Sequence, residues 1–313
     1  MKNIMVIINP KAGSETGDRL IDVIEKHLQN YFDEILIKTT KTAEDSTLFG
    51  KEAADKKFDS VMIVGGDGTI NGVIKGFVNY EYRPKIAIVP AGTGNILAKI
   101  LGVPIIRKRA IHSYHFNKTK KMNLGVCNND VFNMFASLGP VPEAIHDVSS
   151  EQKTALGFLA YVFNAMSKLA NSEISHITVK SKEHYFEGPA DHLFISLVNG
   201  IGLLKFSELD ESVAQGKANI FIQRSKKFID RMQTVTSAIG GKLEGSEGLD
   251  AFSSNEIVID ALEDQDLYID LDGEKGPALP VKIKILIDYI DFYLPENNII
   301  QDTHLVNHNT LLE

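Results

Sequence analysis

The sequence is short of several things. It carries one cysteine, Cys127, in 313 residues, so no intramolecular disulfide and no multi-cysteine metal site can form. Its nine histidines are scattered, with no H-E-x-x-H spacing, and a dedicated zinc site is not expected. The stretch "HDVSS" does not support a serine triad. No apolar run approaches the roughly 18 residues of a membrane-spanning helix. The start lacks the charged segment, apolar core and cleavage site of a secretory leader, since Met1 leads at once into "IMVII", and a cytoplasmic protein is expected. Positive charge is not in excess either: the formal net charge is -8, a field that repels polyanions and argues against nucleic acid as a partner.

What is present is a well-patterned chain. Its length suits two ordinary domains, and 43% apolar residues can fill two cores. The first 110 or so residues alternate strand and helix: "NIMVII", an amphipathic "GDRLIDVIEKHLQNYF", "EILIKT", a polar helix near 43–56, "VMIV", a helix from Thr69, and "KIAIVP". That alternation predicts an α/β domain with a parallel sheet. From about residue 123 strand-like runs follow one another, interrupted by two helix-like segments, "ALGFLAYVFNAMSKLA" and "SKKFIDRMQTVTSAI". The expected division is an α/β domain over 1–124, with 295–313 packing back on it, and a β-rich second domain over 125–294.

Three glycine-bearing loops follow apolar runs in the first half: Asn9, Pro10, Lys11, Ala12 and Gly13; Gly65, Gly66, Asp67, Gly68 and Thr69; and Pro90 to Asn95, with Gly92 and Thr93. Each stands at the carboxyl end of an expected strand, where open parallel sheets bind ligands. Glycines let amides turn inward as an anion-binding concavity, and the next helix adds its positive end. One such loop alone is more often just a turn; three at corresponding strand ends are expected to converge. The spacing is neither the P-loop nor the G-x-G-x-x-G dinucleotide frame. Asp67 is the odd member, since a carboxylate among phosphate-binding amides needs a reason: a metal bridging phosphates, or a hydroxyl to orient. Far along the chain, "LYIDLDGEKG" ends strand-like alternation in Asp272, Gly273 and Glu274. Such a turn is commonly solvated surface; if it faced the crevice, either acid could take a proton from an attacking hydroxyl.

Together these motifs resemble the diacylglycerol kinase catalytic family, which includes bacterial lipid kinases and sphingosine kinases. The match runs in order over nearly the whole chain: Asn9-Pro10 with Gly13, Thr40, Gly65 to Thr69 with Asn71, Pro90 with Gly92, Thr93 and Asn95, "LGVP" at 101–104, and Asp272-Gly273-Glu274. "GGDGT" alone is shared with NAD kinases and phosphofructokinases. The resemblance implies ATP and Mg2+ as cofactors, an ATP site between two lobes, a lipid cleft in the second, and transfer of the γ-phosphate to a lipid hydroxyl such as that of diacylglycerol, a step of phospholipid metabolism. Glu274 then matches the base on the lipid hydroxyl, Asp67 the residue at magnesium-ATP, and Asp272 a support of the turn or the metal. The sequence departs from the family's acids at Gly72, Ile96, Asn123 and Gln215. Two other readings stand beside the kinase: an NAD kinase-like enzyme, and a catalytically weakened nucleotide- or lipid-binding regulator. Phe132, Met134 and Phe135, with Phe158, Tyr161, Val162 and Met166, are expected mostly in core, a subset lining an acyl groove. The basic clusters at 107–109, 118–121 and 224–227 are candidate contacts for peripheral docking on a membrane, with solvated faces the plainer reading of each. An oligomer is compatible with all of this.

Overall fold

Where the sequence turns apolar for five or six residues, a buried strand forms. In the computed structural model, which describes residues 1–10, 18–138, 175–198, 200–201, 204–205, 213–224, 248–262 and 266–296, β1 (Asn3–Ile8), β3 (Ser60–Gly65) and β4 (Lys85–Pro90) are buried along nearly their whole length. Continuous apolar runs of this kind belong to strands covered on both faces. With β2 (Glu34–Thr39), they pair in parallel in the order β2-β1-β3-β4. Their crossovers carry α1 (Asp18–Leu28), α2 (Glu44–Asp55) and α3 (Asp67–Phe77); α4 (Ile96–Ile100) and α5 (Arg107–Ser113) follow β4. The expected helix from Thr69 begins two residues earlier, with extended Gly66 as its cap position.

Two compact units divide the chain: Met1–Met122 with Ile290–Glu313, and Asn123–Tyr289. Ile290–Tyr293 belong to the first unit: Phe292 pairs in parallel with Ile86 of β4, and the Tyr293 hydroxyl meets Ser60 Oγ at 2.9 Å. One backbone pair on β4 is completed by a side chain. The Tyr114 hydroxyl donates to Ile88 O at 2.8 Å and accepts from Ile88 N at 3.1 Å.

Helices α2 and α3 pack through small residues. A Cβ on Gly72 would lie 2.1 Å from Ser46 Oγ, and one on Gly76 would lie 2.2 Å from the Thr47 carbonyl oxygen. The two backbones approach too closely for a larger side chain at either place.

The second unit is antiparallel. Strand β5 (Thr119–Cys127) enters it, forming a hairpin with β6 (Asp130–Phe132); then come β7 (Phe135–Leu138), β8 (Ser175–Lys180), β9 (Tyr185–Ala190), β10 (His192–Ser196), the short pair β11 (Gly200–Ile201) and β12 (Leu204–Lys205), β13 (Ala218–Gln223), β14 (Leu249–Ser254), β15 (Glu256–Ala261), β16 (Tyr268–Leu271), β17 (Glu274–Ala278) and β18 (Val281–Tyr293). One sheet runs β14-β13-β10-β7-β16-β17; a second array runs β18-β15-β8-β9. Ile195, Ile220 and Ile222 from the first pack with Ile177, Ile257, Ile259 and Ile283 from the second in one core. Alternation is clean in β15 and the first half of β18, where every other residue is buried, as expected of strands with one wet face.

The apolar stretch 131–138 holds two strands, β6 and β7, with a break at Asn133-Met134. Strands β9, β14 and β17 are not evident as apolar runs. Two of them contain proline, Pro189 and Pro277, and both of those end the hydrogen-bonded order of their sheets, the position where a missing N–H is tolerated. The helix-like segments at 155–170 and 225–239, and the tail beyond Glu296, lie outside the described residues.

Candidate active site

Two of the three glycine loops touch directly. A Cβ on Gly66 would lie 3.0 Å from the Cα of Gly92, and one on Gly92 only 2.6 Å from the Cα of Gly66. Side chains larger than hydrogen at these positions would drive the loops apart. They are fixed below by the sheet, where Gly65 pairs with Pro90 and Ala91 N donates to Gly65 O at 2.9 Å. The first loop joins them through Asn9, whose Nδ2 donates to Thr69 Oγ1 at 3.1 Å and whose backbone N donates to Val64 O at 2.9 Å. Thr69 folds over Gly65: an added Cβ there would meet the Thr69 side chain at 2.6 Å. Thr40, at the end of β2, is buried and donates its backbone N to Ile8 O at 2.8 Å. Asn9, Thr40, Gly65, Gly66, Asp67, Gly68, Thr69, Gly92, Thr93 and Asn95 are thus gathered at one end of the parallel sheet, Asn71 following in the first turns of α3 and Pro10 exposed beside Asn9. Lys11, Ala12 and Gly13 lie outside the described residues.

The opening of α3 gives this cluster its chemistry. The amides of Asp67, Gly68 and Thr69 stand in the first turn, where no helical carbonyl precedes them, and point along the axis together with the positive end of the helix dipole. Gly66 and Gly92 bring no side chains of their own to this end of the sheet, and helix amino ends of this kind bind phosphates through main-chain N–H groups.

Asp67 has a partner that the sequence did not suggest. Its two carboxylate oxygens accept from Ile96 N at 3.1 Å and Leu97 N at 3.2 Å, capping α4 from a different loop. Asn95, the residue locally placed to cap that helix, is in the left-handed region at φ 48° and instead closes its own turn: Oδ1 accepts from Gly92 N at 2.8 Å, and Nδ2 donates to Gly92 O at 2.6 Å. Burial pushes the Asp67 carboxyl above its ordinary range, against the pull of the two amides and of Lys99. The carboxylate also takes a hydrogen bond from its own backbone N–H, which leaves one of its roughly four lone-pair sites open. A magnesium ion arriving with a nucleotide fits such a site, since that ion is usually held by one or two carboxylates with phosphate oxygens and water completing its shell. Among the described residues no group of three or more His, Cys, Asp or Glu side chains could hold a metal without such help.

In the second unit, Asp272 and Gly273 form the two-residue loop between β16 and β17, with φ of 54° and 91°. Two positive φ values and an Asp-Gly pair are the signature of a type I′ hairpin. Asp272 turns its carboxylate onto a neighbouring chain reversal, accepting from Asn133 N at 2.6 Å, Met134 N at 3.0 Å and Phe135 N at 2.8 Å. These three bonds explain the break between β6 and β7. Glu274 begins β17, and its side chain is exposed. Asp270, which the sequence reading passed over as one more alternating polar residue, is half-buried; its Oδ1 accepts from Gly273 N at 2.9 Å. Its pKa is raised to about 6, by burial first and by the nearby Glu274 charge, with the Gly273 amide opposing.

Two departures from the family's acids have local causes. Gly72 faces Ser46 across the α2–α3 contact described above, where a glutamate has no room. Asn123 uses both ends of its amide, donating through Nδ2 to Val213 O at 2.6 Å and accepting on Oδ1 from Asp288 N at 3.0 Å; an aspartate could not make the first bond. Ile96 offers its backbone to Asp67, and Gln215 is exposed in a turn. Of the apolar residues considered for an acyl groove, Phe132, Met134 and Phe135 are buried, while Phe158, Tyr161, Val162 and Met166 lie outside the described residues.

Comparison with known proteins adds to this geometry. The family model described as "Diacylglycerol kinase catalytic domain" matches residues 3–127. A protein of Streptococcus pneumoniae serotype 4 named "Putative lipid kinase" is 33% identical over 293 residues, covering 94% of this chain and 98% of that one. A "Diacylglycerol kinase" of Bacillus subtilis is 28% identical, covering 95% and 97%. The crystal structure of a diacylglycerol kinase from Bacillus anthracis shares the fold with a TM-score of 0.75 at 23% identity, over 94% of this chain and 97% of that one.

Proposed function

Since the chain belongs to the diacylglycerol kinase catalytic family of lipid kinases, we propose that it transfers the γ-phosphoryl group of ATP to the hydroxyl of diacylglycerol or a related long-chain lipid. The observation that carries the reading is the direct contact of Gly66 with Gly92 at the amino end of α3, a backbone-to-backbone approach that only glycines allow and that suits main-chain binding of a polyphosphate. In this reading Asn9, Thr69, Thr93 and the amides of Gly66 and Gly68 orient the phosphates, Gly92 gives the backbone room beside Gly66, and Asp67 holds the α4 turn against them while offering a lone pair to the magnesium that accompanies ATP. Pro10, Lys11, Ala12, Gly13, Thr40, Gly65, Asn71 and Asn95 complete the nucleotide site.

Phosphoryl transfer depends mainly on positioning and charge neutralisation. The lipid oxygen forms a bond to the γ-phosphorus as the bond to the β,γ-bridging oxygen breaks; ADP leaves, and the hydroxyl proton passes to Glu274. The exposed carboxylate of Glu274 suits a base that must meet a substrate. Asp272 keeps the hairpin that carries it in shape through its three backbone bonds. The lipid's own location brings the protein to a membrane surface. Among the described residues no helix is long and apolar enough to cross one.

Incubating the purified protein with radiolabelled ATP and a panel of lipids, with NAD, and with no acceptor tests the proposal. Label in a lipid supports it. Label in NAD supports the NAD kinase-like reading, and tight nucleotide binding with no transfer points to a regulator.

A further inference from the structure

Strand β2 ends the parallel sheet among the described residues. Its inner side is fixed: Glu34 N donates to Lys2 O at 3.3 Å and Thr40 N to Ile8 O at 2.8 Å. The main-chain groups of Glu34, Leu36 and Lys38 therefore face β1, and by the alternation of a strand those of Ile35 and Ile37 point outward. The apolar side chains at its centre, Ile35, Leu36 and Ile37, are only half-buried. Such an edge is a template for another strand, and proline is one of the devices that block it. Strands β9 and β17, which end the sheets of the second unit, carry Pro189 and Pro277. Strand β2 carries none.

The edge is complementary to itself. Laid antiparallel against a second copy with Leu36 on the twofold axis, Ile35 faces Ile37 as a hydrogen-bonded pair, its outward N–H and C=O both used, and Leu36 faces Leu36. Glu34 then comes opposite Lys38, once on each side of the axis. Opposite charges directly across a ladder stabilise it, and like charges do the reverse. A register slipped by two residues either way sets Leu36 against Lys38 or against Glu34, so only the axis on Leu36 gives every side chain its complement. Helix α2 lies on the face of Glu34, Leu36 and Lys38: the Lys38 ammonium is 3.1 Å from the Glu52 carboxylate and 5.5 Å from the centre of the Phe49 ring. Leu48, 58% exposed, stands one turn before Glu52 on the same side of the helix. An axis perpendicular to the sheet keeps the α2 helices of both copies on one face, with these apolar side chains over the seam.

We infer that the β2 edge docks a second copy of this chain, forming a twofold dimer through antiparallel β2–β2 pairing centred on Leu36. A self-complementary pairing of this kind uses the edge up and closes. The inference does not depend on the kinase reading.

Sedimentation equilibrium of the full chain at tens of micromolar is expected to show a dimer. Glu34→Lys and Lys38→Glu each place two like-charge pairs across the seam, and each should weaken dimerisation about tenfold or more. Mixed in equal amounts, the two variants regain both pairs of opposite charge, and a heterodimer as tight as the wild-type dimer is expected. A folding defect cannot imitate that rescue. Since Cys127 is buried, a new thiol can be cross-linked selectively. Oxidised Leu36→Cys should form a disulfide-linked dimer, its two copies about 4.5 Å apart between Cα atoms, whereas Ile37→Cys, about 7–8 Å from its own copy, should not. A wild type that stays monomeric, single charge variants that dimerise like the wild type, or a mixture no tighter than its components overturns the inference. So does cross-linking of Ile37→Cys in preference to Leu36→Cys, which moves the axis and removes the charge pairing. A species larger than a dimer also overturns it, because the closed pairing leaves no second edge.

Discussion

The two acidic turns of this protein are built in opposite ways. In the first unit the carboxylate of Asp67 is buried, and both its oxygens are engaged with the amides that open α4. In the second unit the residue engaged with backbone is Asp272, two positions before the carboxylate of interest, and Glu274 itself stands exposed at the start of β17. Under the proposed function, one turn combines structure and chemistry in a single side chain; the other divides them between two. The difference predicts that mutations will separate activity from stability in the second unit and will not do so in the first.

The largest effect should come from the exposed acid. Glu274→Gln is expected to lower turnover by about 10²–10⁴-fold, the range for loss of a general base, while the melting temperature stays that of the wild type, since an exposed side chain contributes within about 0.5 kcal/mol. Turnover on diacylglycerol above a tenth of wild type would remove Glu274 from the base's role. Asp67 should behave differently. Asp67→Ala strips the acceptor from two amides at once and should cost about 1–3 kcal/mol of stability, along with roughly 10²-fold or more in turnover. Asp67→Asn keeps one carbonyl oxygen and should recover part of the stability. An Asp67→Ala protein that melts like the wild type would break the contrast between the two turns.

Smaller, and confined to the first unit, is the effect of Gly72. A methyl group there meets Ser46 at the α2–α3 contact, so Gly72→Ala should lower stability by about 1–3 kcal/mol through overpacking. Gly72→Glu, the change that brings back a family acid, should destabilise further and not raise turnover. Pairing it with Ser46→Gly, which opens the contact, sharpens the point: stability recovered with no gain in activity would show Gly72 to be a packing residue and not a lost ligand.

How much of this could be read in advance depended on how local the cause was. The parallel strands were legible because burial on both faces makes "MVII", "VMIV" and "IAIVP" continuously apolar. The hairpin turn was legible because Asp-Gly with two positive φ values is a property of two adjacent residues. The convergence of the glycine loops followed from their common place at strand ends. Illegible were the partners set by tertiary contact: Asp67 caps a helix 29 residues away, Asp272 ties a reversal 137–139 residues away, and Gly72 is dictated by Ser46 on another helix. The same holds for the edge strands β9 and β17, whose prolines read as loop until their position at a sheet edge is known.

The smallest effect tests Asp270, where the second unit does bury an acid. The groups facing it are the Glu274 carboxylate, the Gly273 amide, and, across the sheet, Lys275 of β17 and Ser137 of β7; the Lys275 ammonium lies over the Tyr268 ring at 3.6 Å. Folding raises its pKa from the ordinary value to about 6, so between about pH 4 and pH 6 the folded chain holds a proton that the unfolded chain has released. The stability it contributes is therefore full below about pH 4 and is lost as pH rises through about 6. A shift of this size corresponds to at most about 3 kcal/mol, and partial exposure reduces it to about 1–2 kcal/mol. Asp270→Asn retains an acceptor for the Gly273 amide and carries no charge. Melting curves of the two proteins should coincide near pH 4 and diverge toward pH 7, with the variant the more stable. Carboxylates held low elsewhere, such as Glu52 beside Lys56 and Lys38, give slopes of the opposite sign in both proteins and cancel in the difference. A constant gap across that range would mean that Asp270 is ionised throughout, leaving Asp67 as the one acid of the two turns that folding burdens with a charge.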